Sequence, residues 1–121
     1  MGILYLASPY SHHDPEVVRE RFVASCKAAA RLMREGHVVF SPIAHTHNIA
    51  DYLPDNARYD FEFWMLQDIP VLLRCNELRV LPLEGWRESR GVTREIEIAR
   101  HAGIPVQILS LDILADNYRR L

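Results

Sequence analysis

Four short apolar runs, each set apart from the next by a segment with helical periodicity, constrain this chain more than any other feature. They are Ile3 to Ala7, His37 to Phe40, Leu78 to Leu81 and Pro105 to Leu109. Runs this short and this predominantly apolar read as buried strands, because strands covered on both faces lose most of their polar positions. Strands that alternate with helices make a parallel sheet covered by helices on both sides.

The expected fold is therefore α/β: a three-layer, doubly wound parallel sheet of flavodoxin- or Rossmann-like form with about four to five strands. The chain has 121 residues, a length suited to one compact domain, and no linker, repeat or low-complexity segment divides residues 1–121. Asp14-Pro15-Glu16 marks a helix start, with a capping acid and a proline at the first helical position. Val18, Phe22, Cys26, Ala29, Ala30 and Met33 form the apolar stripe of that helix, and Gly36 ends it. Ser41-Pro42 closes the second strand. Residues 43–58 read as a long loop with room for one short helical turn. Tyr59 to Cys75 is a second helical region that Pro70 is expected to kink or split. Val92 to Ala102 is a third helix, stopped by Gly103, and Leu111 to Leu121 is expected to form a short terminal helix.

Charge and composition exclude some functions. Lys and Arg total 14 against 16 Asp and Glu, for a formal net charge of −2. That gives no support to a general nucleic-acid binder, which carries a basic excess. No apolar run is long enough to span a membrane, and the first residues lack the basic start of a signal peptide. Cys26 and Cys75 form no CxxC pair; both fall in predicted helices and read as buried, reduced thiols. The expected setting is cytoplasmic.

The chemistry concentrates in Gly85-Trp86-Arg87-Glu88-Ser89-Arg90-Gly91-Val92-Thr93-Arg94-Glu95-Ile96, a glycine-bearing loop between a strand and a helix. An α/β protein builds its site at such loops. Val92, Ile96, Ala99 and Ala102 define the sheet-facing stripe; Glu95 borders it, whereas Glu97 belongs to the outer face. Glu95 near the helix start is expected to stay ionised under the helix dipole. It either complements that dipole or serves as a nucleophile. Asp68 lies on or beside the apolar face of its helix, where an acid needs a partner. It either caps a helix restarted at Pro70 or faces the site as a second carboxylate. Ser89 and Gly91 suit both a helix cap and an anion contact. Ser8 and Tyr10 follow the first strand, on the ligand side of an open sheet. Tyr10 and Trp86 are either ligand-stacking or packed aromatics. His45-Thr46-His47 has no third ligand fixed by sequence and reads as loop histidines that hydrogen-bond locally or line the pocket rather than bind metal; His12-His13 reads the same way. Arg119-Arg120 reads as a solvated tail.

Tyr5-Leu6-Ala7-Ser8-Pro9-Tyr10, Ser41-Pro42-Ile43, Trp64, Asp68 and the Gly85-Trp86…Ser89-Arg90-Gly91…Glu95-Ile96 run, taken together, resemble the nucleoside 2-deoxyribosyltransferase-like superfamily, and within it a bacterial DUF1937-type group. The resemblance spans Ile3 to Leu109. It implies that Glu95 is a nucleophile and that Asp68 helps protonate the leaving base. Ser8, Tyr10, Ser41, His45, Trp86, Ser89 and Gly91 become the expected substrate contacts. Ser89, six residues before the nucleophile, resembles the branch acting on deoxynucleoside 5′-monophosphates, where serine contacts phosphate. Asn76, Trp86 and the His45-Thr46-His47 loop depart from the well-studied relatives. The implied activity is a retaining N-glycosidase or deoxyribosyltransferase acting on a small-molecule nucleoside or nucleotide, needing no metal or other cofactor. Such relatives commonly assemble as dimers or larger oligomers, so the resemblance implies a homo-oligomer. The competing expectations are a nucleotide sensor without turnover and a flavodoxin-like binding protein; the first β-α turn has no GxGxxG for a dinucleotide.

Overall fold

The computed structural model describes residues 2–115. Four strands, β1 (Ile3–Ala7), β2 (Val38–Phe40), β3 (Glu77–Val80) and β4 (Val106–Ile108), form one sheet. Their order is β2-β1-β3-β4 and every neighbouring pair is parallel. Helix α1 (Pro15–Arg34) connects β1 to β2; α2 (Pro42–Thr46), α3 (Asp55–Arg58) and α4 (Phe61–Leu72) connect β2 to β3; α5 (Arg90–His101) connects β3 to β4. This is the expected three-layer α/β arrangement, with four strands.

The central strand β1 is buried from Leu4 to Ala7 because both faces of the sheet are covered there, whereas β3 alternates buried Leu78 and Val80 with the ion-paired Glu77 and Arg79, and the edge strands β2 and β4 are half-exposed. Successive side chains of β1 point to opposite faces. Leu4 and Leu6 pack with Ala28, Ala29 and Leu32 of α1 and with Leu81 and Ile113. Tyr5 and Ala7 pack with Leu72 of α4, Val92 and Ala99 of α5, Leu78 and Val80.

Helix α1 starts where its sequence signal places it: the Asp14 carboxylate accepts from the Glu16 N–H at 2.9 Å, with Pro15 in the first turn. It ends at Gly36, whose φ of +98° suits a residue without a Cβ. Its buried stripe is rotated from the expected one. Ser25, Ala28, Ala29 and Leu32 face the sheet, while Met33 is 54% exposed. Three consecutive alanines leave the phase of the pattern open. Ser25 can be buried because its hydroxyl donates to the Arg21 carbonyl at 2.9 Å.

Residues 43–58 are not a loop with one turn. They hold most of α2, a 3-10 segment Ile49–Tyr52, and α3. Ser41 caps α2 by accepting from the Ala44 N–H at 3.1 Å, with Pro42 in the first turn. This is the signal that starts α1, here masked by the strand just before it. Pro70 does not split its helix; α4 runs unbroken from Phe61 to Leu72. The proline sits in the last turn, so it removes one hydrogen bond only, to the carbonyl of the exposed Leu66. Cys75 lies past the end of α4 rather than inside a helix; its thiol donates to the Val71 carbonyl at 3.2 Å. Cys26 is half-buried and both cysteines are free. Burial pushes both thiols up, which keeps them in the less reactive form. After β4 there is a single 3-10 turn, Leu111–Leu114, in place of the start of a longer terminal helix. Arg119-Arg120 lies outside the described residues. Among those residues no helix is long and apolar enough to cross a membrane.

Candidate active site

The strand order fixes where a site can form. From β1 the chain leaves into α1 on one face of the sheet; from β3 it leaves into α5 on the other. Loops that diverge this way open a crevice beyond the carboxyl ends of the two central strands. A cleft of about 1110 Å³ occupies that position, lined from the β1 side by Ser8, Tyr10 and Ser11 and from the β3 side by Gly85, Ser89 and Gly91. Asp68 of α4 and Glu95 of α5 both line it.

Glu95 is 4% exposed and Tyr5 is fully buried. The Tyr5 hydroxyl donates to Glu95 Oε2 in a short hydrogen bond. Burial pushes the Glu95 carboxyl up from 4.5 to about 8; the Tyr5 bond pulls it down, and the nearby Asp68 charge adds to the rise. Burial likewise raises Asp68 from 3.8 to about 6. Tyr5 is pushed well above its usual range, first by burial and then by Glu95. The expectation that the helix dipole keeps Glu95 ionised is therefore corrected. Glu95 stands in the second turn of α5, beyond the first turn over which the dipole acts, and desolvation dominates. Nor does Asp68 cap a restarted helix, since α4 does not break at Pro70. Its carboxyl goes to the cleft.

Ser89 is the N-cap of α5, its Oγ accepting from the Val92 N–H at 3.2 Å. The hydroxyl proton is left for a ligand. Ser89→Ala is expected to destabilise the fold by about 1 kcal/mol through loss of the cap, measurable by urea denaturation. Ser8 is tied differently. Ser25 spends its one proton on the Arg21 carbonyl, so Ser8 is the donor in the 2.8 Å Ser8–Ser25 contact. Ser8 can then only accept from a ligand. The Tyr10 hydroxyl meets His47 Nδ1 at 2.5 Å, and the His47 ring stacks on Phe22 with centroids 3.8 Å apart.

Three of the expected contacts lie outside the cleft. Ser41 is buried as the α2 cap. His45 is exposed, its ring 5.6 Å from that of Phe40. Trp86 packs against the core shared by α5 and the sheet, with the Arg87 guanidinium 4.8 Å over its ring. His12 and His13 stack on each other at 4.3 Å, and His12 Nδ1 accepts from the Asp14 N–H. Among the described residues, no group of three or more His, Cys, Asp or Glu side chains could hold a metal ion. Asn76 binds the Ile3 backbone in both directions, Oδ1 accepting at 2.8 Å and its N–H donating at 2.8 Å. It sits at the amino ends of the strands, opposite the cleft, where its role is to align β1 with β3.

The sequence shows no role for Tyr5, because it sits inside an apolar strand run. The one signal that could have found it is general: a tyrosine buried in a sheet needs a partner for its hydroxyl. Trp64 also lines the cleft, held by its Nε1–H donating to the Arg58 carbonyl at 2.8 Å.

Residues 2–111 match the family described as Domain of unknown function (DUF1937). The chain belongs to that family. No curated protein matches it. In this DUF1937 domain, then, the buried Tyr5–Glu95 pair and Asp68 gather at the base of a cleft whose rim carries hydroxyls from two loops. Two carboxyl groups with unequal, raised pKa values are suited to opposite roles in one reaction.

Proposed function

We infer that the DUF1937 chain is a retaining N-glycosidase or deoxyribosyltransferase acting on a nucleoside or its 5′-monophosphate, a member of the nucleoside 2-deoxyribosyltransferase-like superfamily. The observation that carries this reading is the pair of carboxyls, Glu95 and Asp68, at the foot of the cleft with Tyr5 bound to Glu95. Glu95 attacks C1′, the bond from C1′ to the base nitrogen breaks, and the base takes a proton from Asp68. Water or a second base then resolves the sugar ester. The free Ser89 proton is placed to meet a phosphate or sugar oxygen. The setting this implies is cytoplasmic, where two free thiols stay reduced.

The chemistry needs a charged Glu95 and a protonated Asp68, so it needs one proton in the pair. With pKa values of about 6 and about 8 the pair holds one proton between those limits. In the free protein that proton rests on Glu95, the weaker acid. Positive charge developing at C1′ favours the Glu95 anion and returns the proton to Asp68. A bell-shaped dependence of kcat/KM on pH, with limbs near these values, is the expected profile.

Tyr5→Phe is expected to lower kcat by about 10- to 100-fold, because the Glu95 anion loses its one hydrogen-bond donor among the described residues. The Tyr5 bond lowers the Glu95 pKa, so its loss moves the alkaline limb upward. A pH–rate profile of the variant checks both effects.

The reading is tested by incubating the protein with deoxynucleosides and their monophosphates and separating free base by chromatography. Base release from at least one substrate is expected. The resting protonation of Glu95 favours a second reading, a nucleotide sensor without turnover. Binding without any base release is the outcome that selects it.

A further inference from the structure

The crevice is made by two loops that leave the sheet in opposite directions, which raises the question of what holds them in register. The last backbone bond between the two strands is Leu81 N–H to the Ala7 carbonyl, at 2.8 Å. Beyond it, the loop after β1 (residues 8–13) and the loop after β3 (residues 82–89) share no backbone hydrogen bond among the described residues. One side chain joins them. Arg21, on the second turn of α1, donates from Nη1 to the Ser11 carbonyl at 2.9 Å and from Nη2 to the Glu84 carbonyl at 3.0 Å. A planar guanidinium delivers two such bonds in a fixed fork, which an ammonium cannot reproduce.

The partner loop is shaped to receive it. Gly85, next to Glu84, has φ +88°, and a Cβ built there would lie 2.9 Å from Arg21 Nη2. Any other residue would meet the fork as well as strain the backbone. Arg21 lines the cleft and forms no ion pair among the described residues. Its charge is turned to two carbonyls rather than to an acid.

We propose that Arg21 is a positioning residue: it clasps the two loops across the crevice and so sets the separation of the ligand contacts each loop carries. Ser8, Tyr10 and Ser11 stand on one side of this tie, and Ser89 and Gly91 on the other. The clasp explains why, among the described residues, a half-exposed arginine bonds only backbone. The assignment of a ligand to this cleft rests on the function proposed above, whereas the clasp itself is a property of the free protein.

The test uses amide hydrogen exchange on the wild-type protein, Arg21→Met and Arg21→Lys, without ligand. Methionine keeps an unbranched stem but has no donor; lysine keeps the charge but loses the fork. Both variants are expected to exchange about tenfold or more faster in residues 8–13 and 82–89, with the sheet and α5 unchanged. Unchanged exchange in these loops overturns the clasp. So does Arg21→Lys matching wild type, which would mean that charge rather than fork geometry matters. Where the wild type releases base, both variants should raise KM severalfold and leave kcat within about threefold; a fall in kcat at constant KM would contradict a positioning role. If no protein releases base, the function proposed above fails and the exchange data still decide the clasp.

Discussion

Glu95→Gln is expected to lower base release by more than about a thousandfold while leaving the fold at least as stable as wild type near pH 8. The two halves of this result have one cause. Glu95 is almost fully buried and its carboxyl is held up to about 8, so the side chain is largely neutral at pH 7 and only partly ionised near pH 8. Glutamine is a neutral side chain of nearly the same shape, and its amide oxygen can accept from the Tyr5 hydroxyl as Glu95 Oε2 does. The pocket therefore loses little. The reaction loses its nucleophile, because an amide does not form the sugar ester. Kinetics on the substrate found by the base-release screen, together with thermal unfolding of the same sample, measure both halves.

The second large effect is a fall in stability as pH rises from about 4 to about 8. A carboxyl whose folded pKa is raised favours folding while it stays protonated. The unfolded chain ionises Glu95 near 4.5, and the folded chain keeps the proton to about 8. Between these values the native state binds more protons than the unfolded state, so stability declines with pH and then levels off. Asp68 adds a smaller decline between 3.8 and about 6. The Glu95 contribution alone is roughly 3–5 kcal/mol. Melting temperatures at pH 5, 6, 7 and 8.5 should fall in that order. Glu95→Gln should flatten the upper part of the curve and Asp68→Asn the lower part. Stability that rises with pH over this interval would mean that the two carboxyls are solvated or ion-paired.

Much of this arrangement is legible in the sequence, and the parts that are not have identifiable reasons. The four apolar runs give the parallel sheet, and the phase of Val92, Ala99 and Glu97 turns Glu95 inward. The second carboxylate is legible for the same reason, since Asp68 shares its face with Met65 and Leu72, which are buried. What pattern cannot give is the balance of forces on a carboxyl once it is inside. The helix dipole reaches one turn, whereas desolvation depends on the whole shell of Tyr5, Asp68 and the core around Glu95. The Ser41-Pro42 cap was visible but adjoined a strand, and the phase of α1 was blurred by Ala28-Ala29-Ala30. His45 and Trp86 show a further limit: proximity to a site loop in sequence does not decide which way a side chain turns, and both turn away from the cleft. Arg21 lies on α1, distant in sequence from the β3 loop it holds, and no local pattern signals a side chain that bonds two carbonyls.

The most direct test of the central claim is intact-mass analysis of protein quenched soon after mixing with a deoxynucleoside or its monophosphate. A nucleophilic Glu95 predicts a sugar adduct on the wild-type chain, mapped by peptide analysis to Glu95 and absent from Glu95→Gln. Free base released equally by both proteins, with no adduct on either, would contradict it.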